Sequence, residues 1–252
     1  MKSNPGAVLG VLMLAGLLTA APARAEDAPA SCEVPAYLLK SENSLPKVAE
    51  AVKTRQMLDI LVVGSRSSTI NTSDGSAYPG RLQAMLRDKL PSVTVNVSLE
   101  LQVKKTAQEV AGGLANLVEA KKPTLVIWQT GTVDAMRSVD PDDFRAAVDQ
   151  GVAALQNAGA EVVLVNLQYS PRTETMISAS PYLDNMRVAA QQHDVPLFDR
   201  FAIMHHWQDQ GDFDLFSTSH GLDLAKRVHD CLGRALSQFV IEAAHLKPAQ
   251  QN

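Results

Sequence analysis

The sequence predicts one α/β domain, a parallel sheet wound on both faces by helices. Three observations predict it. Short aliphatic runs alternate with helical stretches through the chain after its first 25 residues. Most of those runs are apolar throughout, as strands buried on both faces are. No internal repeat, low-complexity linker or composition shift divides the 252 residues, a length that suits one such domain.

The elements follow in order. Residues 1–25 stand apart as a signal peptide. Lys2 gives a positive start, Ala7 to Ala21 an apolar run of about 15 residues that is short for a membrane span, and Ala23 and Ala25 the small residues a signal peptidase reads. Cleavage is expected after Ala25, with the protein periplasmic or secreted; an uncleaved anchor is the alternative. Residues 26–57 form a polar arm ending in a short helix over Leu45–Gln56. The main domain spans 58–244, and 245–252 is a polar tail.

Within the domain, strand one is Leu58–Val63, and a helix begins near Tyr78 with Pro79 in its first turn. Strand two, Ser92–Glu100, alternates Val93, Val95, Val97 and Leu99 with polar residues, so one of its faces is expected to be wetter. A second helix carries the stripe Ala107, Val110, Ala111, Leu114, Leu117 and Val118, with Gly112 and Gly113 inside it predicting close packing there. Strand three is Thr124–Gln129. A helix from Asp140 or Pro141 stops at Gly159, and strand four is Glu161–Leu167. A helix from Pro181 to His193, a short strand "VPLF", a helix over "DRFAIMHHWQDQ" and a last helix from Leu222 to Ala244 complete the chain.

Charge narrows the function classes. The formal net charge is −4. Without Lys2 and Arg24 it is near −6, with 21 basic against 27 acidic residues. No Lys/Arg cluster stands out, so neither nucleic acid nor an anionic membrane surface is an expected partner. The two cysteines, Cys32 and Cys231, predict one disulfide in an oxidising compartment, pinning the arm to the last helix; two buried thiols are the alternative.

In doubly wound sheets, sites lie beyond the carboxyl ends of strands where strand order reverses. Strand one runs straight into Gly64, Ser65, Arg66, Ser67, Ser68 and Thr69. Those residues alone suit either a nucleophilic serine or a Ser/Thr turn bonded to its own backbone. "QTGTVDAMR" follows strand three, "QYSPR" follows strand four, and "FSTSHGLDLAKRVHDCL" opens the last helix. Tyr169 and Arg172 of "QYSPR" are candidates to line a pocket, Arg172 as an anion holder or as a structural ion pair. Asp134 and Arg137 could cap and pair locally. Trp128 reads as core or pocket wall, and His229 and Asp230 as helix surface. His205 and His206 with Asp209 and Asp212 lack the further ligands a metal would need, so neither metal nor cofactor is expected.

From about Asp59 to Leu236 the chain resembles the SGNH, or GDSL, hydrolase family, in an exported branch. The resemblance rests on the Gly/Ser-rich loop followed by "YPGRL", on "LVIWQTGT", "GAEVVLVNLQYSPR" and "VPLFDRFAIMHHW", and on a helix carrying "HDCL". It implies a three-layer, flavodoxin-like sandwich with strand order 2-1-3-4-5. It also implies ester hydrolysis by a serine on the first loop, with a histidine base oriented by an aspartate three residues earlier.

Carried over, the first motif points to Ser67 by counting back from Thr69. Counting forward from Gly64 gives Arg66, because the loop has one residue too many. Ser65 and Ser68 stay as alternatives. Gly131, Thr132, Val133 and Asp134 stand where the family has Gly-x-Asn-Asp. Valine lacks the oxyanion donor, a loss of about 3–4 kcal/mol in acyl transfer. Strand two is followed by no glycine. Where the family has Asp-x-x-His, the chain has His220, Gly221, Leu222 and Asp223, the reverse order. His220 would then lie roughly 5–6 Å from the usual base position. The resemblance implies a serine esterase with Ser67, His220 and Asp223, acting on acyl or acetyl esters of small molecules or glycans. Gly64, Ser65, Ser68, Gly131, Thr132, Asp134, Tyr169 and Arg172 would form its oxyanion hole or pocket. The alternative is a catalytically degenerate member that binds a ligand or an envelope partner without turnover.

Overall fold

The computed structural model describes Met1 and residues 31–70, 72, 75–215 and 221–249. The expected signal peptide and His220 lie outside the described residues.

Five parallel strands form one sheet in the order β2-β1-β3-β4-β5. They are β1 (Met57–Gly64), β2 (Thr94–Leu101), β3 (Leu125–Gln129), β4 (Glu161–Val165) and β5 (Leu197–Phe198). The period of two along β1 sends its side chains to different cores. Leu58, Ile60 and Val62 face one helical layer, and Leu61 and Val63 the other. The first layer holds α3 (Tyr78–Lys89), α10 (Arg200–Asp209) and α11 (Gly221–Ala243). The second holds α4 (Ala107–Ala111), α5 (Leu114–Lys121), α7 (Pro141–Asn157) and α9 (Ser180–Gln192). β2 is an edge strand, which explains its wetter pattern. Among the residues of β2, Val95 is buried, while Val97 and Leu99 pack partly exposed against the core.

Local chemistry sets the helix ends. Thr106 caps α4 through a reciprocal box with Glu109. Asp140 and Asp199 cap α7 and α10 by accepting from the amides of Asp142 and Ala202. The arm contributes α1 (Ala36–Leu39) and α2 (Pro46–Glu50), followed by a π-turn over Ala51–Arg55. Cys32 and Cys231 form the expected disulfide, closing a separation of 199 residues between the arm and α11.

Three readings need correction. The long second helix is two helices, broken where Gly112 and Gly113 interrupt it. Both glycines are exposed, and neither is closely packed. Their low helix propensity is expressed as a break because no neighbour covers them. His229 is buried, not on the surface, because α11 lays that face against α3. Two single-turn helices were also unforeseen, α6 (Thr132–Met136) and α8 (Pro171–Glu174).

Candidate active site

β1 and β3 lie side by side and point their carboxyl ends the same way. The switch in strand order therefore brings the loop after β1 beside the end of β3. After Gly64 the chain makes one 3-10 turn over Arg66–Ser68, closed by the Ser68 amide donating to the Ser65 carbonyl at 2.9 Å. Gly64 is required there. A Cβ on it would stand 2.0 Å from the Ser68 Oγ.

The three serines separate. Ser68 is fully buried, and its hydroxyl donates to Gln129 Oε1 at 2.6 Å. As an alternative nucleophile it is ruled out by access. Ser65 and Ser67 are half-buried, with their hydroxyl oxygens 3.3 Å apart.

Gln129, the last residue of β3, joins the loop to the sheet. Its Nε2 donates to Ser67 Oγ at 2.8 Å and to Ser65 Oγ at 3.1 Å. Its Oε1 accepts from Ser68, from Tyr78 Oη at 3.2 Å and from Arg200 Nη1 at 3.1 Å. A guanidinium can only donate, so the amide orientation is dictated by Arg200.

Arg200 is 1% exposed, and Nη1 also donates to Ser67 Oγ at 3.1 Å, while Nη2 donates to the Ser67 carbonyl at 3.2 Å. Its carbon lies 5.7 Å from the Tyr78 ring centroid. Its Nε is buried without a hydrogen-bond partner. Among the described residues no carboxylate pairs with it. Burial lowers the guanidinium to about 10, against the opposing pull of Tyr78, so it is charged at neutral pH. Burial pushes the Tyr78 phenol up, opposed by the charge of Arg200 and a hydrogen bond with Ser68.

A narrow cleft opens beside this group, lined among others by Ser65, Gln102, Lys105, Gly131, Thr132 and Val133. Gln102 occupies the place after β2 where a glycine was sought, and its amide donates to the Gly64 carbonyl at 2.7 Å. Gly131 has φ +97, and a Cβ there would meet Leu167 at 2.5 Å, so glycine is needed on both counts. Asp134 is 1% exposed and accepts from the Ala107 amide at 2.9 Å. Burial raises its carboxyl, while the amides of Ala107, Asp134 and Gly131 draw it down. Thr132 Oγ1 accepts from the Gln168 amide at 3.3 Å.

Tyr169 and Arg172 do not line the cleft. Tyr169 is buried, its ring edge-on to Phe201 and 4.7 Å from the His205 ring centroid. Arg172 is exposed on α8, because that turn faces solvent. Asp223 is exposed on the first turn of α11. His229 Nδ1 accepts from the Tyr78 amide at 2.9 Å, and burial with the nearby charge of Arg200 pushes its imidazole down to about 3. It is neutral and holds α3 in place. Arg137 pairs with Glu109 at 3.2 Å and bonds the Lys104 carbonyl, the local role expected of it.

Gln129, Tyr78 and Arg200 were not singled out by sequence. Two signals were there to read. Gln129 closes an otherwise apolar strand, and Arg200 puts a cation in the first turn of a helix, where the helix dipole disfavours it.

The sheet order and the serine-bearing loop at its switch point define an SGNH-hydrolase fold. Similar solved structures include TesA (20% identity, 70% of this chain and 97% of that one, TM-score 0.55). AlinE4, a SGNH-hydrolase family esterase, is 16% identical over 65% of this chain and 85% of its own, with TM-score 0.52. Axe2, an acetylxylan esterase from Geobacillus stearothermophilus, is 17% identical over 72% and 93%, with TM-score 0.58. At these identities the likeness is one of fold. No curated protein matches the chain significantly. The family profile settles membership: the chain belongs to the non-GDSL lipase-like family, matched over residues 31–246.

Proposed function

We propose that the protein is a serine esterase of the exported type, hydrolysing acyl or acetyl esters of small molecules or envelope glycans. Ser67 is the nucleophile. The observation that carries this reading is the place of its hydroxyl. It is half-exposed on the turn directly after β1, and its oxygen receives N–H groups from Gln129 and Arg200. Donors on the oxygen favour its ionised form, the form that attacks an ester carbonyl.

His220 is the proposed base, with Asp223 as its neighbour in the reversed order. Export fits the Cys32–Cys231 disulfide. Among the described residues no helix is long and apolar enough to cross a membrane.

The test uses purified protein, p-nitrophenyl acetate and a fluorophosphonate probe. Hydrolysis and labelling that are both lost in Ser67→Ala support the esterase. A folded wild-type protein that neither hydrolyses nor labels sinks it, and leaves the degenerate, ligand-binding member as the better reading.

A further inference from the structure

Arg200 poses a problem of electrostatics. A guanidinium 1% exposed has lost nearly all its water, and no described carboxylate replaces that water. Buried charges are ordinarily paired, because stripping an ion costs several kcal/mol. Here the nearest groups are a serine hydroxyl, a serine carbonyl, an amide oxygen and a phenol ring, and the Nε–H is unanswered.

Counting lone pairs shows what the arrangement suits. A hydroxyl oxygen accepts two hydrogen bonds. Ser67 Oγ accepts from Gln129 Nε2 and Arg200 Nη1, so both of its lone pairs are taken. Its proton is left to donate, and the neighbouring acceptor is Ser65 Oγ at 3.3 Å, a long contact. Ser65 Oγ already accepts from Gln129 Nε2. With the Ser67 proton it is also full, which leaves its own proton to donate, and Ser65 lines the cleft. As a neutral alcohol Ser67 has no lone pair free to attack. As an alkoxide it has three, two held by N–H groups and one free. The donors therefore complement the ionised state, which is the condition for lowering a barrier rather than for binding a ground state.

We infer that Arg200 is the residue that activates Ser67: its buried charge stabilises the serine alkoxide, and Ser65 carries the departing proton toward the cleft. The inference deepens the esterase reading and rests on it. The step balances. The Ser67 O–H bond breaks, an O–C bond forms to the ester carbonyl carbon, and that carbon's bond to the leaving oxygen breaks. The Ser67 proton moves to Ser65 as the Ser65 proton passes to solvent water at the cleft, and water returns one proton to the leaving alkoxide, giving the alcohol. Water then hydrolyses the acyl-serine and returns the hydroxyl. Because Arg200 touches the reacting oxygen, it counts as a catalytic residue.

The experiment measures fluorophosphonate labelling of Ser67 against pH, with the labelled residue located by peptide mass, in wild type, Arg200→Met and Arg200→Lys. An opposite charge beside an ionising group is worth about 1–3 pH units. Arg200→Met should therefore label about tenfold or more slowly at neutral pH, with its profile displaced to higher pH. Arg200→Lys keeps the charge but loses the fork, and should hold the wild-type profile at a lower rate. Ser65→Ala should slow labelling without displacing the profile.

A folded Arg200→Met protein with wild-type rate and profile overturns the inference while the esterase reading stands. If Arg200→Met does not fold, Arg200→Lys decides: a slower rate on an undisplaced profile supports the inference, and an unchanged rate overturns it. A wild-type protein that never labels at Ser67 overturns both.

Discussion

Two buried charges sit at opposite ends of the sheet and are answered in different ways. Glu161 opens β4 at the amino edge. Its carboxylate accepts from the amides of Lys47 at 2.9 Å and Val48 at 2.8 Å, in the first turn of α2. Burial raises its carboxyl, and those two amides with the Lys47 charge pull it back. Both oxygens meet backbone groups that would otherwise be orphans of a helix end. Arg200 follows β5 at the carboxyl edge and meets two polar side chains and a single backbone carbonyl, with its Nε unanswered. Where a buried charge closes the fold, backbone saturates it. Where it stands under the proposed nucleophile, it is left with its Nε short of a partner.

The largest expected effect tests the amino edge. Glu161→Ala strips two buried N–H groups of their acceptor and should cost about 2–4 kcal/mol in urea unfolding, with Ser67 labelling at the wild-type rate. A cost below about 1 kcal/mol would mean that the carboxylate closes nothing, and the contrast between the two ends would fail.

His229 sharpens the contrast by pH. Its folded value, about 3, lies below the ordinary imidazole value of 6.5. Folding therefore favours the neutral ring. That stability is complete above about pH 6.5 and is lost as pH falls toward 3, with a slope approaching about 1.4 kcal/mol per pH unit. Stability of wild type relative to His229→Asn should fall by about 2 kcal/mol between pH 7 and 4.5, read by urea unfolding at both. A constant difference would show that folding leaves the His229 imidazole unshifted.

Arg200→Met should change stability by no more than about 1.5 kcal/mol in either direction, because losing a desolvated, unpaired charge offsets the lost hydrogen bonds. A loss above about 3 kcal/mol would place Arg200 with Glu161 as a closing charge.

How much of this was legible in the sequence follows from the range of the interactions. Strands and helix stops are written locally. Val62 and Val63 before Gly64, or Asp140 before Pro141, carry their structure in neighbouring residues. The loop Gly64–Ser68 was legible for the same reason. Gln129 and Arg200 were not, since their roles arise only when elements 71 residues apart share one oxygen. His229 was misread because its helix face is decided by α3, whose Tyr78 amide it caps across 151 residues. Gly112 and Gly113 were misread in the other direction, since packing was expected where none formed.

Asp134 gives the smallest and most discriminating prediction, because it lies at the active edge yet is answered by backbone, as Glu161 is. One oxygen accepts from Ala107, and the other, Oδ2, is buried without a hydrogen-bond partner. That is an arrangement for a neutral acid, and burial raises the carboxyl accordingly. An acid raised by folding contributes stability below its unfolded value of about 3.9 and loses it as pH rises through the folded value. Asn resembles the protonated acid and does not titrate. Asp134→Asn should therefore gain on wild type, by a small margin, as pH rises from 3.5 to 7 in urea unfolding. If the variant instead loses ground as pH rises, Asp134 is held as a carboxylate, and the active edge would contain a saturated anion a short way from an unsaturated cation.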